Sequence, residues 1–302
     1  MRHWRQWLLL LALAAVFAAA GRAVFESGPP AAGTAGVISD GPPQRVALVF
    51  FHFGDALLSL ERPPVAAPQV NTLKNWASLK PYLAGSPVID LGRQSSLNME
   101  RLLDVQPELI IGERYNAGRY HALARIAPVV LLDNQKLFRD WRDILREVAA
   151  LTGREAAAEA RILRVERLIA AARPRLSTVR DDSFAFLAPF EKGMFFAYGR
   201  ARLPAFLDPE TGLGLKTPAG YTNTAARLSL EGVALLNPDH IFLSRFPGDA
   251  RRLAELQKSP VWNALAAVKR GNVHFLDQSA FLAGSLAVEY GVNSVVTSLT
   301  EG

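Results

Sequence analysis

Asn98-Met99-Glu100-Arg101-Leu102-Leu103, followed by Gln106-Pro107-Glu108-Leu109-Ile110-Ile111, lies on Ser229-Leu230-Glu231-Gly232-Val233-Ala234, followed by Asn237-Pro238-Asp239-His240-Ile241-Phe242, after one shift of 131 positions. Each copy opens on an Asn or Ser whose side-chain oxygen can cap a helix. An acid in the first turn then faces the positive helix end. A Pro that cannot continue the helix stops it, and the apolar run that follows suits a strand covered on both faces. A helix, Pro and strand unit used twice predicts two related lobes.

Outward from these copies, short β-rich runs alternate with helical stretches. Strands are predicted over Val46 to Phe51, Val88 to Leu91, Glu108 to Ile111 and Val129 to Leu132, with helices starting near Asp55, Asn98 and Gly118. The second half repeats the theme with Phe184 to Leu187, Met194 to Tyr198, His240 to Leu243 and Val273 to Leu276. Such alternation predicts an α/β fold: two lobes with parallel-type central sheets flanked by helices. Between them Arg154 to Ala172 contains no Gly or Pro, consists of strong helix formers, and carries Ile162, Val165, Leu168 and Ile169 on one stripe. At 1.5 Å per residue it spans roughly 28 Å, enough to join two lobes as a strut. The expected organisation is a first lobe over 45–153, an interdomain helix over 154–178 and a second lobe over 179–302.

The chain has 302 residues, net charge +6, half its residues apolar and no cysteine. That composition excludes a disordered chain, a disulfide scaffold and a thiolate metal site. Arg2, His3 and Arg5 precede an uncharged run from Gln6 to Gly21 that ends in small residues, the layout of a cleavable signal peptide over 1–23. Without residues 1–23 the net charge falls to +3. Residues 24–44, with Gly28-Pro29-Pro30 and Gly41-Pro42-Pro43, read as a flexible leader. The absence of Cys argues against a lipid-anchored lipoprotein, so the expected location is the periplasm. No run of five basic residues and no RNA-binding aromatic signature occurs, which argues against nucleic acid as a partner.

At this point the chain resembles a known family. Arg45-Val46-Ala47-Leu48 with Gly54-Asp55-Ala56-Leu57, Asp90-Leu91-Gly92 running into Asn98-Met99-Glu100, and Ile126-Ala127-Pro128 look like the first lobe of periplasmic ferric-siderophore-binding proteins of the ferric-hydroxamate type. Ser259-Pro260-Val261-Trp262 through Gly271-Asn272-Val273 resembles the second lobe and is the most distinctive part. The resemblance implies a helical-backbone, two-lobed monomer. It would hold a ferric siderophore in the cleft between the lobes and deliver it to an ABC permease in the inner membrane. Haem or cobalamin binding by the same fold, or a periplasmic sensory domain without transport, are the alternatives.

Independently of the resemblance, ligands of open parallel sheets bind beyond the C-terminal strand ends. The residues there are Phe51, His52 and Phe53, Arg93 and Gln94, and Tyr115 in the first half, then Tyr198, Arg200, Tyr221, Arg245, Phe246 and Phe281 in the second. Rings pack on the apolar parts of a chelate and guanidinium forks bind its oxygens. The family's siderophore-contacting Arg falls on Gln94 by spacing, with Arg93 beside it. Its permease-contacting carboxylates have Glu113, His121 and Glu255 as candidates here. A surplus of cations over rings favours a net-anionic chelate, such as a citrate-type siderophore. Iron is expected only inside the chelate. The four mature histidines are widely separated in the sequence, so no resident metal or other cofactor is expected. No nucleophile elbow, phosphate loop or dinucleotide fingerprint suggests an enzyme.

Overall fold

The computed structural model describes residues 41–133, 140–191, 193–245 and 250–301. The predicted signal peptide over 1–23, most of the leader and Phe246 lie outside the described residues. In chain order the strands are Val46–Leu48 (β1), Ala66–Ala67 (β2), Ile89–Asp90 (β3), Gly92–Arg93 (β4), Ser96–Leu97 (β5), Leu109–Glu113 (β6) and Val129–Leu132 (β7), then Phe184–Glu191 (β8), Met194–Tyr198 (β9), Ala225–Ser229 (β10), His240–Arg245 (β11) and Val273–Asp277 (β12).

The first sheet has the order β3-β2-β1-β6-β7 and is parallel throughout. The second has the order β10-β9-β8-β11-β12. It departs from the parallel expectation: β8, β11 and β12 are parallel, but β9 runs antiparallel to both β8 and β10. The cause is local. Glu191 already pairs with Met194, Gly193 adopts φ +67, and β9 returns at once beside β8.

The repeated unit folds alike in both lobes. Asn98 accepts from the Arg101 amide at 2.9 Å and caps the helix Met99–Asp104, while Ser229 accepts from the Gly232 amide at 3.1 Å and caps Leu230–Leu236. Gln106 and Asn237, each before the Pro, both take positive φ, +43 and +40. The acids after the Pro have a shared task that spacing alone did not reveal. Glu108 accepts from the Gln44 amide at 2.6 Å and Asp239 from the Ser183 amide at 3.0 Å. Each carboxylate thereby satisfies an amide just ahead of the neighbouring central strand, β1 or β8.

The linking helix runs Glu155–Ala172 and buries Ile162, Val165 and Ile169, with Leu168 packed half-buried beside them. It is braced on two sides. Arg142 and Arg146 of the helix Trp141–Thr152 pair with Glu166 and Glu159, both at 2.7 Å, and Arg161 and Arg164 pair with Glu289 of the C-terminal helix Ser285–Thr300 at 2.5 and 3.0 Å. Alternation along the strands sends Val46, Leu48, Phe184, Phe186 and Phe242 into one core shared with these helices. The opposite faces, with Ala47 and Ile110 or Leu187 and Leu243, pack on separate outer helical layers. The sheets therefore share a single central layer.

Asp55 ties the lobes a second time. Its carboxylate, in the helix Gly54–Ser59, accepts from the Leu286 amide at 3.0 Å and the Ala287 amide at 2.9 Å, capping the C-terminal helix. Burial pushes the Asp55 carboxyl above its ordinary range, against the pull of those amides and of Arg161. Gly284 fits this contact because a Cβ there would lie 2.2 Å from the Asp55 Cγ. A third tie joins the Ala77 amide to Asp277 Oδ1 and the Ser78 amide to Ser279 Oγ, both at 3.1 Å.

Candidate functional site

On the first lobe, β1 ends at Leu48 rather than Phe51, and Phe51–Phe53 forms a single 3-10 turn. His52 stacks between Phe51, with centroids 3.9 Å apart, and Phe50, at 4.7 Å. Burial and then the charge of Arg202 lower its pKa to about 4, so the imidazole is neutral at ordinary pH. Phe51 meets Trp76 edge-on at 5.7 Å, and the buried Trp76 Nε1 has no hydrogen-bond partner among the described residues. Phe53 corrects the sequence reading: it is fully buried in the central core and has no surface to offer a ligand.

Arg93 and Gln94 occupy the small hairpin of β4 and β5. Asp90 holds its entry through the Gly92 amide at 2.8 Å, and Arg119 holds its tip through the Gln94 carbonyl at 3.1 Å and the Ser95 carbonyl. The Gln94 side chain turns back to accept from the Phe51 amide at 3.3 Å, whereas Arg93 is exposed. Tyr115 is 65% exposed at the end of β6. Glu113 is 6% exposed, and it accepts from the Tyr115 amide at 2.7 Å while Asn116 accepts from its own amide at 3.0 Å. This capping box occupies the carboxylate and buries it, so Glu113 does not have the exposure that a permease contact requires. His121 and Glu255 are exposed, the latter paired with Arg251 at 3.3 Å.

On the second lobe the loop after β9 is pinned to the chain beside it. Gly199 donates to the Thr224 carbonyl at 2.6 Å and Ala201 to the Asn223 carbonyl at 2.8 Å. A Cβ on Gly199 would lie 2.0 Å from the Thr222 carbonyl oxygen, which explains the glycine. The loop leaves Arg200 exposed and sets Arg202 half-buried toward the lobe boundary. Arg202 acts electrostatically on His52 of the first lobe and on Tyr198 of the second. Tyr198 packs on Phe281 at 5.4 Å, and Phe281 meets Phe186 at 6.4 Å.

Two further candidates are engaged elsewhere. The Tyr221 hydroxyl accepts from the Phe186 amide at 3.1 Å and donates to the Phe186 carbonyl at 2.9 Å, filling a place on β8 that a neighbouring strand would otherwise take. Its burial pushes the phenol pKa up. Arg245 stacks over Phe275 at 4.6 Å. Phe275 pairs with Leu243, whose side chain belongs to the outer core, so Arg245 leans away from the central layer.

The structure thus gathers Phe51, His52 and Trp76 from one lobe with Tyr198, Arg202 and Phe281 from the other. The sequence reading named Arg200 but not Arg202, and it did not name Trp76, whose place beside Phe51 depends on packing. Among the described residues no group of three or more acids and histidines is placed to hold a metal ion, and no helix is long and apolar enough to cross a membrane.

Residues 55–280 match the periplasmic binding protein family. The chain belongs to that family. Among periplasmic binding proteins it is similar to the Fe(3+) dicitrate-binding periplasmic protein FecB of Escherichia coli K12, with 25% identity over 265 residues and 82% of each chain covered. It is 26% identical over 192 residues to the iron-uptake system-binding protein of Bacillus subtilis, where the match spans 61% of this chain but only 59% of the relative. In three dimensions it superposes on the Fe3+-Desferal-bound siderophore-binding protein FhuD of Vibrio cholerae with a TM-score of 0.69 at 22% identity, covering 85% of this chain and 97% of that one. The fold is that of a substrate-binding protein.

Proposed function

We propose that the protein binds a ferric siderophore in the interlobe cleft and delivers it to an ABC permease in the inner membrane. The observation that carries this reading is the position of Arg202, whose charge reaches a side chain on each lobe. His52, neutral at ordinary pH, adds no charge of its own beside it. Arg93 and Arg200 add exposed guanidinium groups. Such a site suits a net-anionic, oxygen-rich complex: guanidinium forks bind carboxylate oxygens, and Phe51, Trp76, Tyr198 and Phe281 pack on the carbon frame. A citrate-type siderophore fits best, and the likeness to FecB, named for ferric dicitrate, supports it.

Gln94 already uses its side-chain oxygen on Phe51, so Arg93 is the hairpin residue assigned to the ligand. Iron enters inside the chelate, and the site needs neither catalytic groups nor a resident cofactor. The protein acts as an exported monomer, with His121 and Glu255 on the faces open to the permease. The three ties between the lobes keep their relative movement on binding small.

The test is a tryptophan-fluorescence titration with ferric citrate, a ferric hydroxamate, a ferric catecholate, haem and cobalamin. Ferric citrate is expected to bind tightest, Arg202→Ala to weaken it about tenfold or more, and Arg93→Ala to weaken it less. Failure of all five ligands to bind, or turnover of any of them, sinks the reading.

A further inference from the structure

A small cavity, about 20 Å³ in volume, lies where Trp141 of the first lobe meets the second lobe. Arg202, residues 203–206, Ala280, Leu282, Ala283 and Val288 complete its lining. That volume admits one particle about the size of a water molecule and little more. Two of the lining side chains are polar, and both can only donate: the Trp141 indole N–H and the Arg202 guanidinium. Trp141 is 2% exposed, and its Nε1 has no hydrogen-bond partner among the described residues. A buried donor left unmet is destabilising, so the cavity suits an occupant that accepts.

The backbone of the lining turn spends its acceptors elsewhere. The Leu203 carbonyl accepts from the Phe206 and Leu207 amides at 3.1 Å, and the Pro204 carbonyl from the Asp208 amide at 3.0 Å. The Ala205 carbonyl accepts from the Leu213 amide at 2.9 Å, and the Phe206 carbonyl from the Leu215 amide at 3.0 Å. Every lining side chain besides Trp141 and Arg202 is apolar. Asp140, the acid next to Trp141, turns its carboxylate to the Arg142 guanidinium at 3.1 Å and to the Arg142 amide at 2.9 Å. A water molecule in the cavity finds donors for its oxygen but few acceptors for its two hydrogens, whereas a monatomic anion needs donors alone.

We infer that this cavity binds a small inorganic anion of chloride size, held between the Trp141 indole N–H and the Arg202 guanidinium. Sulfate and phosphate, with four oxygens each, are too large for it. One consequence rests on the transport reading above. Arg202 is also the cation assigned to the cargo, so a single guanidinium serves two anions. An anion in the cavity weakens the pull of Arg202 on an anionic chelate, and by linkage the chelate weakens the hold on the anion by the same factor. The cavity thereby makes chelate affinity depend on the salt around the protein, beyond the screening that any salt provides.

The test follows the assigned Trp141 indole N–H resonance of the full mature chain while sodium chloride replaces sodium isethionate at constant pH and ionic strength. The resonance is expected to move saturably, half-complete at about 10 mM chloride, while the indoles of Trp76 and Trp262 stay in place. Sodium sulfate is expected to leave it unmoved, and Arg202→Gln to raise the chloride midpoint about tenfold or more. A Trp141 resonance indifferent to chloride means that water fills the cavity and overturns the proposal, and the wild-type titration gives that answer without any variant having to fold. Equal movement of all three indoles, a response to sulfate as large as that to chloride, or an unchanged midpoint in Arg202→Gln overturns it as well. Ferric citrate affinity, measured in both salts, is expected to be about fivefold lower in chloride. Equal affinity in the two overturns the sharing of Arg202. A saturable chloride response with no chelate bound in either salt sinks the transport reading alone.

Discussion

The two lobes share one half of their sheets and differ in the other. β1, β6 and β7 match β8, β11 and β12 in order and direction, and the acids Glu108 and Asp239 hold equivalent amides. Beyond the central strand they part. The first lobe crosses over through Gly54–Ser59 to add parallel strands, while the second folds straight back as a hairpin and meander. The shared half supplies the frame. The differing half carries most of the residues proposed for the ligand, a stacked Phe–His–Phe turn and a polar hairpin on one side and an arginine loop after β9 on the other.

The strongest way to break the comparison is at the contact where the lobes stop being separable. Gly284→Ala drives a Cβ into Asp55, and Asp55→Ala removes the cap from the C-terminal helix. Each is expected to lower unfolding free energy by about 2–4 kcal/mol in urea titrations. A loss below about 0.5 kcal/mol would mean that the lobes hold together without this contact.

Next come the paired acids. Asp239 also accepts from the Ser183 hydroxyl at 2.8 Å and pairs with Arg270 at 2.7 Å, whereas Glu108 is exposed and, among the described residues, bonds the amides of Gln44 and Arg45. Asp239→Ala should cost about 1–3 kcal/mol and Glu108→Ala clearly less, measured the same way. Equal losses would show that the repeat is energetically symmetric.

The smallest effect is set by pH. His52 in the first lobe and His274 in the second are both lowered to about 4, His52 by burial and Arg202, His274 by burial and then His240. Between 6.5 and about 4 the unfolded chain binds protons that the folded chain refuses, so their contribution is complete above 6.5 and drains away as pH falls toward 4. The raised carboxyl of Asp55 works in the opposite sense, favouring the folded state at low pH. Melting temperature is expected to fall by several degrees from pH 7 to pH 4.5, and His52→Gln to flatten that slope. An unaltered slope in His52→Gln would place the acid sensitivity in the second lobe.

Much of the frame was readable because helix caps, Pro stops and apolar runs are local. The strands that escaped had no local signal. Ala66–Ala67 is two residues between prolines, and Ala225–Ser229 carries Arg227 on an exposed edge. The antiparallel return in the second sheet left a trace, Gly193 beside Lys192, that the alternation argument passed over. The site was less readable, since a strand-end aromatic looks the same whether it meets a ligand or a carbonyl. Phe53 was misread for that reason, and the Tyr221 hydroxyl is engaged on β8 by chain that lies far away in sequence. Glu113 was more tractable: Asn116 three residues on forms a capping box. Arg202 could be seen as one of two arginines, but only the packing of Gly199 on its neighbours decides which turns inward.

Asp55 and the amide of Leu286 are 231 positions apart. A bond of that reach makes the molecule a closed loop rather than two beads on a rod: the last helix gains its cap only after the first lobe has formed, and the first lobe's carboxylate is satisfied only once the last helix arrives. Neither lobe then has a finished native state of its own. The chain, in which one helix, Pro and strand unit occurs twice, is expected to unfold as one cooperative body.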